Sequence, residues 1–196
     1  MINYPEIILI RHGETKWNLE GRFQGRLDSP LTERGELQAR ENGIKLKKYI
    51  KDYKNIKIFS SPLGRAKNTA FIISDVLGVE KKTIIFDNRI IEFNYGIFEG
   101  KVREKMLKTE EFKKREANKW SYIIKNGESY AIVQNRVKDF LNSIKYEEKV
   151  IIIAHEMVNR TIRGVYCNLL NDKTLNLKQP NSVILYLKDR EEFLLT

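Results

Sequence analysis

The chain has 196 residues, with 36 Lys and Arg against 26 Asp and Glu, a formal charge of +10, two histidines and one cysteine. Apolar residues make up 41% and charged residues 32%, a globular composition that excludes a disordered chain. No run approaches the ~18 apolar residues of a membrane span. One cysteine excludes an internal disulfide and a cysteine-rich zinc site, and two histidines give no transition-metal ligand set, so neither metal nor cofactor is expected.

The length predicts one domain over residues 1–196, with a charged insertion at about 101–125. Nothing before Ile7–Ile10 resembles an export signal, and a cytoplasmic setting away from membranes is expected. Lysines are spread over many segments with glutamates nearby, rather than gathered in a stripe with aromatics. That pattern predicts no nucleic-acid partner and a field that attracts small anions. The sequence is compatible with a homodimer.

In chain order, Ile7–Ile10 is a short apolar run of the kind buried on both faces of a sheet, and it stops abruptly at Arg11-His12-Gly13. Thr32 caps a predicted helix running to about Ile50, with Glu33 in its first turn. A second strand is predicted at Ile56–Phe59. Ser61-Pro62 reads as the start of a helix whose stripe is Leu63, Ala66, Ala70, Ile73 and Leu77, stopped by Gly78. A third strand is predicted at Thr83–Phe86. The charged stretch Lys101–Lys125 is expected to be a helical lid. Val133, Val137, Phe140, Leu141 and Ile144 mark a further helix, Val150–Ala154 a strand, and Val158, Ile162, Val165 and Leu169 a last helix that Met157 helps to open. Val183–Leu187 is the final predicted strand. This alternation predicts an α/β fold, with a mostly parallel central sheet and helices on both faces. In such folds ligands bind at the carboxyl ends of the strands.

Both histidines fall there. His12 follows the first strand and His155 follows Val150–Ala154. Arg11 precedes His12, and Arg65 lies in the first turn after the second strand, where helical side chains lean back toward the sheet edge. Guanidinium forks match phosphate oxygens.

These residues resemble the histidine phosphatase superfamily, also called phosphoglycerate-mutase-like. Ile8-Leu9-Ile10-Arg11-His12-Gly13-Glu14-Thr15 with Asn18 is similar to its opening signature. Gly21-Arg22-Phe23-Gln24-Gly25, Asp28, Pro30-Leu31-Thr32 and Gly35 continue it. Ser61-Pro62-Leu63-Gly64-Arg65-Ala66 with Thr69-Ala70 is similar to the second motif. Glu92 with Gly96 and Glu99-Gly100 resembles the acid-bearing loop, and Gly127-Glu128-Ser129 and Ala154-His155 the later motifs. The resemblance implies a metal-independent phosphomonoesterase acting on a small phosphorylated metabolite. His12 would be the nucleophile, with its other ring nitrogen bonded to backbone. Arg11, Arg65 and His155 would hold the phosphoryl oxygens, and Glu92 would be the general acid, with Asp87, Glu99 and Glu128 as alternatives. Asn18, Gln24, the Gly25 amide and Met157 would add phosphate contacts. Cys167 is read as a packing residue.

Two other functions fit less well: a phosphoglycerate mutase using a bisphosphate cofactor, and a non-catalytic binder of phosphorylated ligands. One position departs from the family pattern, which usually has glycine after the second histidine where this chain has Glu156. A positive φ there would strain it, and a carboxylate facing the pocket would repel phosphate. It is expected instead to face away, suiting the helix N-terminus.

Overall fold

The computed structural model describes residues 4–50 and 56–195. Six strands form one sheet: β1 (Glu6–Arg11), β2 (Lys57–Ser60), β3 (Ile85–Phe86), β4 (Lys149–Ala154), β5 (Ile184–Lys188) and β6 (Glu191–Leu195), in the order β3-β2-β4-β1-β5-β6. The first four in that order run parallel, and β5 pairs antiparallel with both β1 and β6. The sheet is mostly parallel, as the alternation of elements predicts.

Alternate residues of the central strands feed two cores. Ile8, Ile10, Ile58, Ile151 and Ile153 pack against α2 (Glu33–Tyr49) and α3 (Gly64–Leu77). Ile7, Leu9, Phe59, Val150 and Ile152 pack against α6 (Tyr130–Ser143) and α7 (Glu156–Tyr166) on the other face. Residues 7–10 are wholly buried, which accounts for the continuous apolar run. The chain leaves β1 toward α2 on one face and leaves the neighbouring β4 directly into α7 on the other. Between such diverging connections a crevice opens at the carboxyl ends of the strands.

Thr32 caps α2 through the Gly35 amide, and Gly78 ends α3 in the left-handed region with φ 72°. Other elements differ from expectation. Ser61 does not cap α3, which starts at Gly64 with Leu63 at the cap position and no side-chain cap. The third strand shrinks to Ile85–Phe86 at the sheet edge, preceded by a 3-10 turn at Lys81–Thr83. The 101–125 stretch is not one helix but two short ones, α4 (Arg103–Met106) and α5 (Glu110–Ala117). A further helix, α8 (Asn171–Asn176), follows α7, and Leu169 lies outside α7. A four-residue helix, α1 (Lys16–Leu19), and strand β6 complete the fold. No helix among the described residues is long and apolar enough to cross a membrane.

Candidate active site

Three strand ends converge. The parallel ladder runs one step past each strand: the His12 amide donates to the Ala154 carbonyl and the Ser61 amide to the Ile153 carbonyl, each at 3.0 Å. This levels the exits of β1, β2 and β4, and it places the His12 and His155 rings 5.2 Å apart between centroids. Both are buried, at 2% and 0% exposure.

Each ring is held by one nitrogen. His12 Nδ1 lies 2.8 Å from the Gly13 carbonyl oxygen, which only a protonated Nδ1 can satisfy, so Nε2 is left with its lone pair. The Gly13 turn passes so close to α2 that a Cβ there would sit 2.2 Å from the Gly35 carbonyl oxygen, a contact only glycine avoids. The Gly13 amide donates to Thr69 Oγ1 at 3.0 Å, and Asn181 donates to the His12 carbonyl. His155 Nε2 meets Ser61 Oγ at 2.7 Å. Ser61 therefore orients the second histidine instead of capping α3.

Burial, followed by the charges of Arg65 and Arg11, holds His12 well below the ordinary imidazole range. Burial and then Arg65 do the same to His155. Both rings are neutral near pH 7.

Arg65 is 1% exposed and is fixed by the carbonyls of Gly25 (2.7 Å) and Leu27 (2.8 Å) and by Asp28 (3.1 Å). Gly25 offers its carbonyl from a backbone with φ 57°, and a Cβ there would strike the Glu99 carboxylate. Arg11 donates to the Gln179 carbonyl at 3.0 Å. Gln179 in turn donates to the Leu9 carbonyl, and Asn159 to the Ile10 carbonyl, so the loop before β5 pins the end of β1. The Nε atoms of Arg11 and Arg65 and Nδ1 of His155 are buried without a hydrogen-bond partner among the described residues. Buried polar atoms of this kind are normally satisfied, and the two arginines line a cleft that an oxyanion would fit.

Glu92 sits on the loop after β3, 7% exposed, and accepts from the Phe93 amide at 2.8 Å. Burial raises its pKa above the ordinary carboxylate value, against the pull of that hydrogen bond and of Arg65 and Arg11. The loop is clamped by Glu128, which accepts from the Asn94 amide (2.9 Å), Arg26 (2.9 Å) and Arg136 (3.2 Å). Arg136 also reaches the Glu92 carbonyl.

A cleft of about 140 Å³ is lined by Arg11, His12, Arg65 and Glu92 with Asn18, Gln24, Gly25 and Met157. His155 is beside His12 but is not among the residues that line the cleft. Asn18 also closes a capping box with Thr15 at the start of α1. Of the alternative acids, Asp87 is paired with Arg89 and Glu128 with two arginines, while Glu99 accepts from the Arg26 and Tyr95 amides. Cys167 is half-buried at the end of α7, and burial pushes its thiol up to about 11.

Glu156 is the correction. Its backbone is helical, without positive φ, but its carboxylate faces the cleft and not away from it. It lies 3.0 Å from Arg11 Nη1 and 3.6 Å from Arg160 Nη2. Two arginines outweigh the helix terminus in setting its direction.

Sequence reasoning also missed Ser61 as a partner of His155, and Thr69, Asp28, Gln179 and Asn181 as supports. Ser61, Thr69 and Asp28 stand inside the quoted motifs. Gln179 and Asn181 flank Pro180 in a loop with no local signal of a site.

The profile of the histidine phosphatase superfamily, branch 1, matches residues 7–192. Phosphoserine phosphatase 1 of Hydrogenobacter thermophilus is 35% identical over 170 residues, 84% of this chain and 76% of that protein. A protein of Escherichia coli named "Probable phosphoglycerate mutase GpmB" is 37% identical over 142 residues, 71% of this chain and 63% of that protein. Among solved structures, YhfR of Bacillus stearothermophilus superposes with a TM-score of 0.78 at 27% identity, covering 97% of this chain and 95% of that one. The chain belongs to the histidine phosphatase superfamily, branch 1. Within that family it is a phosphohydrolase, similar to proteins named as phosphatases.

Proposed function

We propose that the protein hydrolyses phosphomonoesters of small metabolites through a phosphohistidine formed at His12. The observation that carries this reading is the bond from His12 Nδ1 to the Gly13 carbonyl, which leaves Nε2 as a lone-pair nucleophile beside two arginines.

In the first step the Nε2 lone pair attacks phosphorus and the bond from phosphorus to the leaving oxygen breaks. Glu92, whose protonated form burial favours, gives its proton to that oxygen. Arg11 and Arg65 hold the non-bridging oxygens, with cationic groups set in place before charge develops, and His155, whose ring lies 5.2 Å from that of His12, is the further contact that the family resemblance implies. In the second step the Glu92 carboxylate takes a proton from water, the water oxygen attacks phosphorus, and the P–N bond breaks. Phosphate leaves and His12 returns to its neutral form. Asn18, Gln24, the Gly25 amide and the free amide of Met157 at the start of α7 are secondary oxygen contacts. The whole of 1–196 acts as one unit in this reading, with residues 101–125 beside the cleft as its cover.

Similarity to a named phosphoserine phosphatase makes phosphorylated amino acids one class to test, alongside sugar phosphates, phosphoglycerates and a ribazole phosphate. The test is a phosphate-release screen over such a panel, with His12→Ala as the blank. Release that disappears in the variant is expected, and release that persists would overturn the assignment. The similarity to the E. coli protein named as a mutase supports a second reading. It predicts interconversion of 3- and 2-phosphoglycerate that depends on added bisphosphoglycerate.

A further inference from the structure

A second cavity of about 450 Å³ adjoins the cleft, and the two share Tyr95, Arg103, Glu156 and Met157 in their walls. Its cationic lining is Arg103, Arg115, Lys119, Arg160 and Lys178, facing only two carboxylates, Glu116 and Glu156. Two of the arginines are deeply set. Arg160 is 7% exposed and Arg115 is 5% exposed. The Nε of each has no hydrogen-bond partner among the described residues. Their remaining contacts fix them without exhausting their donors. Arg160 donates Nη1 to the Tyr130 hydroxyl at 2.9 Å and lies 3.6 Å from Glu156, while Arg115 pairs with Glu116 and stacks within 6.0 Å of the Phe93, Tyr95 and Phe112 rings.

Buried guanidinium groups with open donors, in a cavity with an excess of positive charge, are built for an oxyanion. The cavity opens onto the catalytic cleft beside Glu156. A molecule with its phosphoryl group at His12 would therefore extend its leaving group past Glu156 and Met157 toward Arg160. We propose that this second cavity is an oxyanion subsite, built on Arg160 and Arg115, for a carboxylate or phosphoryl group at the far end of the substrate's leaving alcohol. The proposal rests on the phosphomonoesterase reading and narrows it to doubly anionic substrates. Glu156 lines both anion sites and pairs with Arg160 at 3.6 Å.

The test uses alkyl phosphates with two to five methylenes, ending in methyl, in carboxylate or in a second phosphate. For at least one chain length the unaltered protein should prefer a doubly anionic ester over its methyl counterpart by about tenfold or more in kcat/KM, the scale of one charge-assisted hydrogen bond. Carboxylate and bisphosphate arms tell the two sources of the oxyanion apart. Arg160→Met should bring that preference ratio down about tenfold. Lys178 is exposed, so Lys178→Ala should not threaten folding, and it should lower the ratio about threefold. A ratio within twofold of one at every length, or one unchanged in both variants, would overturn the subsite. Calorimetric binding of the same esters to His12→Asn, which cannot form the phosphohistidine, separates the two readings. Absence of phosphate release from every ester would count against the phosphatase reading alone, while equal binding of methyl- and anion-ended esters would count against the subsite.

Discussion

Burial acts on His12 and Glu92 in the same sense and produces opposite shifts, because each is pushed toward its neutral form. In the proposed mechanism neutral imidazole is the nucleophile and neutral carboxyl the acid, so one environment would prepare both partners. The pH dependence follows with its sign. kcat/KM should rise as pH climbs through the depressed His12 value, below 6.5, and fall as pH passes the raised Glu92 value, above 4.5. Glu92→Gln should remove the alkaline limb and slow alkyl phosphates by about 10²–10⁴-fold. It should lower kcat/KM for p-nitrophenyl phosphate far less, since p-nitrophenolate leaves without a proton, while kcat still falls because Glu92 also activates water in the second step. An alkaline limb that persists in the variant would reassign the acid. Glu156 is the other single residue with a consequence. Its carboxylate occupies Arg11 and brings negative charge to a phosphate cleft, so Glu156→Gly should lower KM for p-nitrophenyl phosphate, by roughly threefold or more. An unchanged or higher KM would show that Arg11 is not contested. The convergence of the two histidines and two arginines on one sheet edge was legible because each stands at or shortly after a strand end. The direction of Glu156 was not, because it depends on Arg11 from another strand and on Arg160 one helical turn away.

At the scale of elements, the acid is only as well placed as its loop. Glu128, buried at the foot of α6, ties that loop to partly buried Arg136 and to exposed Arg26. Removing one partner of such a network leaves its charges uncompensated. Glu128→Ala should cost about 2 kcal/mol in urea unfolding and reduce kcat more than it changes KM. A loss under about 1 kcal/mol would mean that the loop is held by other contacts. Strands β1, β2, β4 and β5 were readable from apolar runs, helices α3, α6 and α7 from 3.6-residue stripes, and α2 from its Thr32 cap. The misses have physical causes. β6 follows a two-residue hairpin in which Asp189 and Arg190 both take positive φ, without the Asn-Gly or Asp-Gly pair that usually signals such a turn. Its residues Phe193 and Leu194 are exposed, so no buried pattern marks it. The 101–125 stretch breaks in two because Thr109 caps a new helix through the Phe112 amide.

For the whole molecule, the charge of +10 is far more than the cleft requires. The cationic excess that lines the cleft and the adjoining cavity is expected to draw anions inward, an effect that salt would screen within about 10 Å at 0.1 M. kcat/KM for a doubly anionic ester should fall several-fold as ionic strength is raised, with kcat little changed. A flat response would leave the surplus as composition without a role. The parallel sheet, the levelled strand exits and the neutral histidine all serve one chemical claim, transfer of the phosphoryl group to His12. The most direct test is to quench the protein in alkali while it turns over a reactive phosphomonoester and to locate the phosphoryl group by mass spectrometry. The account predicts an alkali-stable, acid-labile phosphoryl group on the peptide carrying His12, absent from His12→Asn. A phosphoryl group on any other residue, or undiminished turnover in His12→Asn, would contradict it.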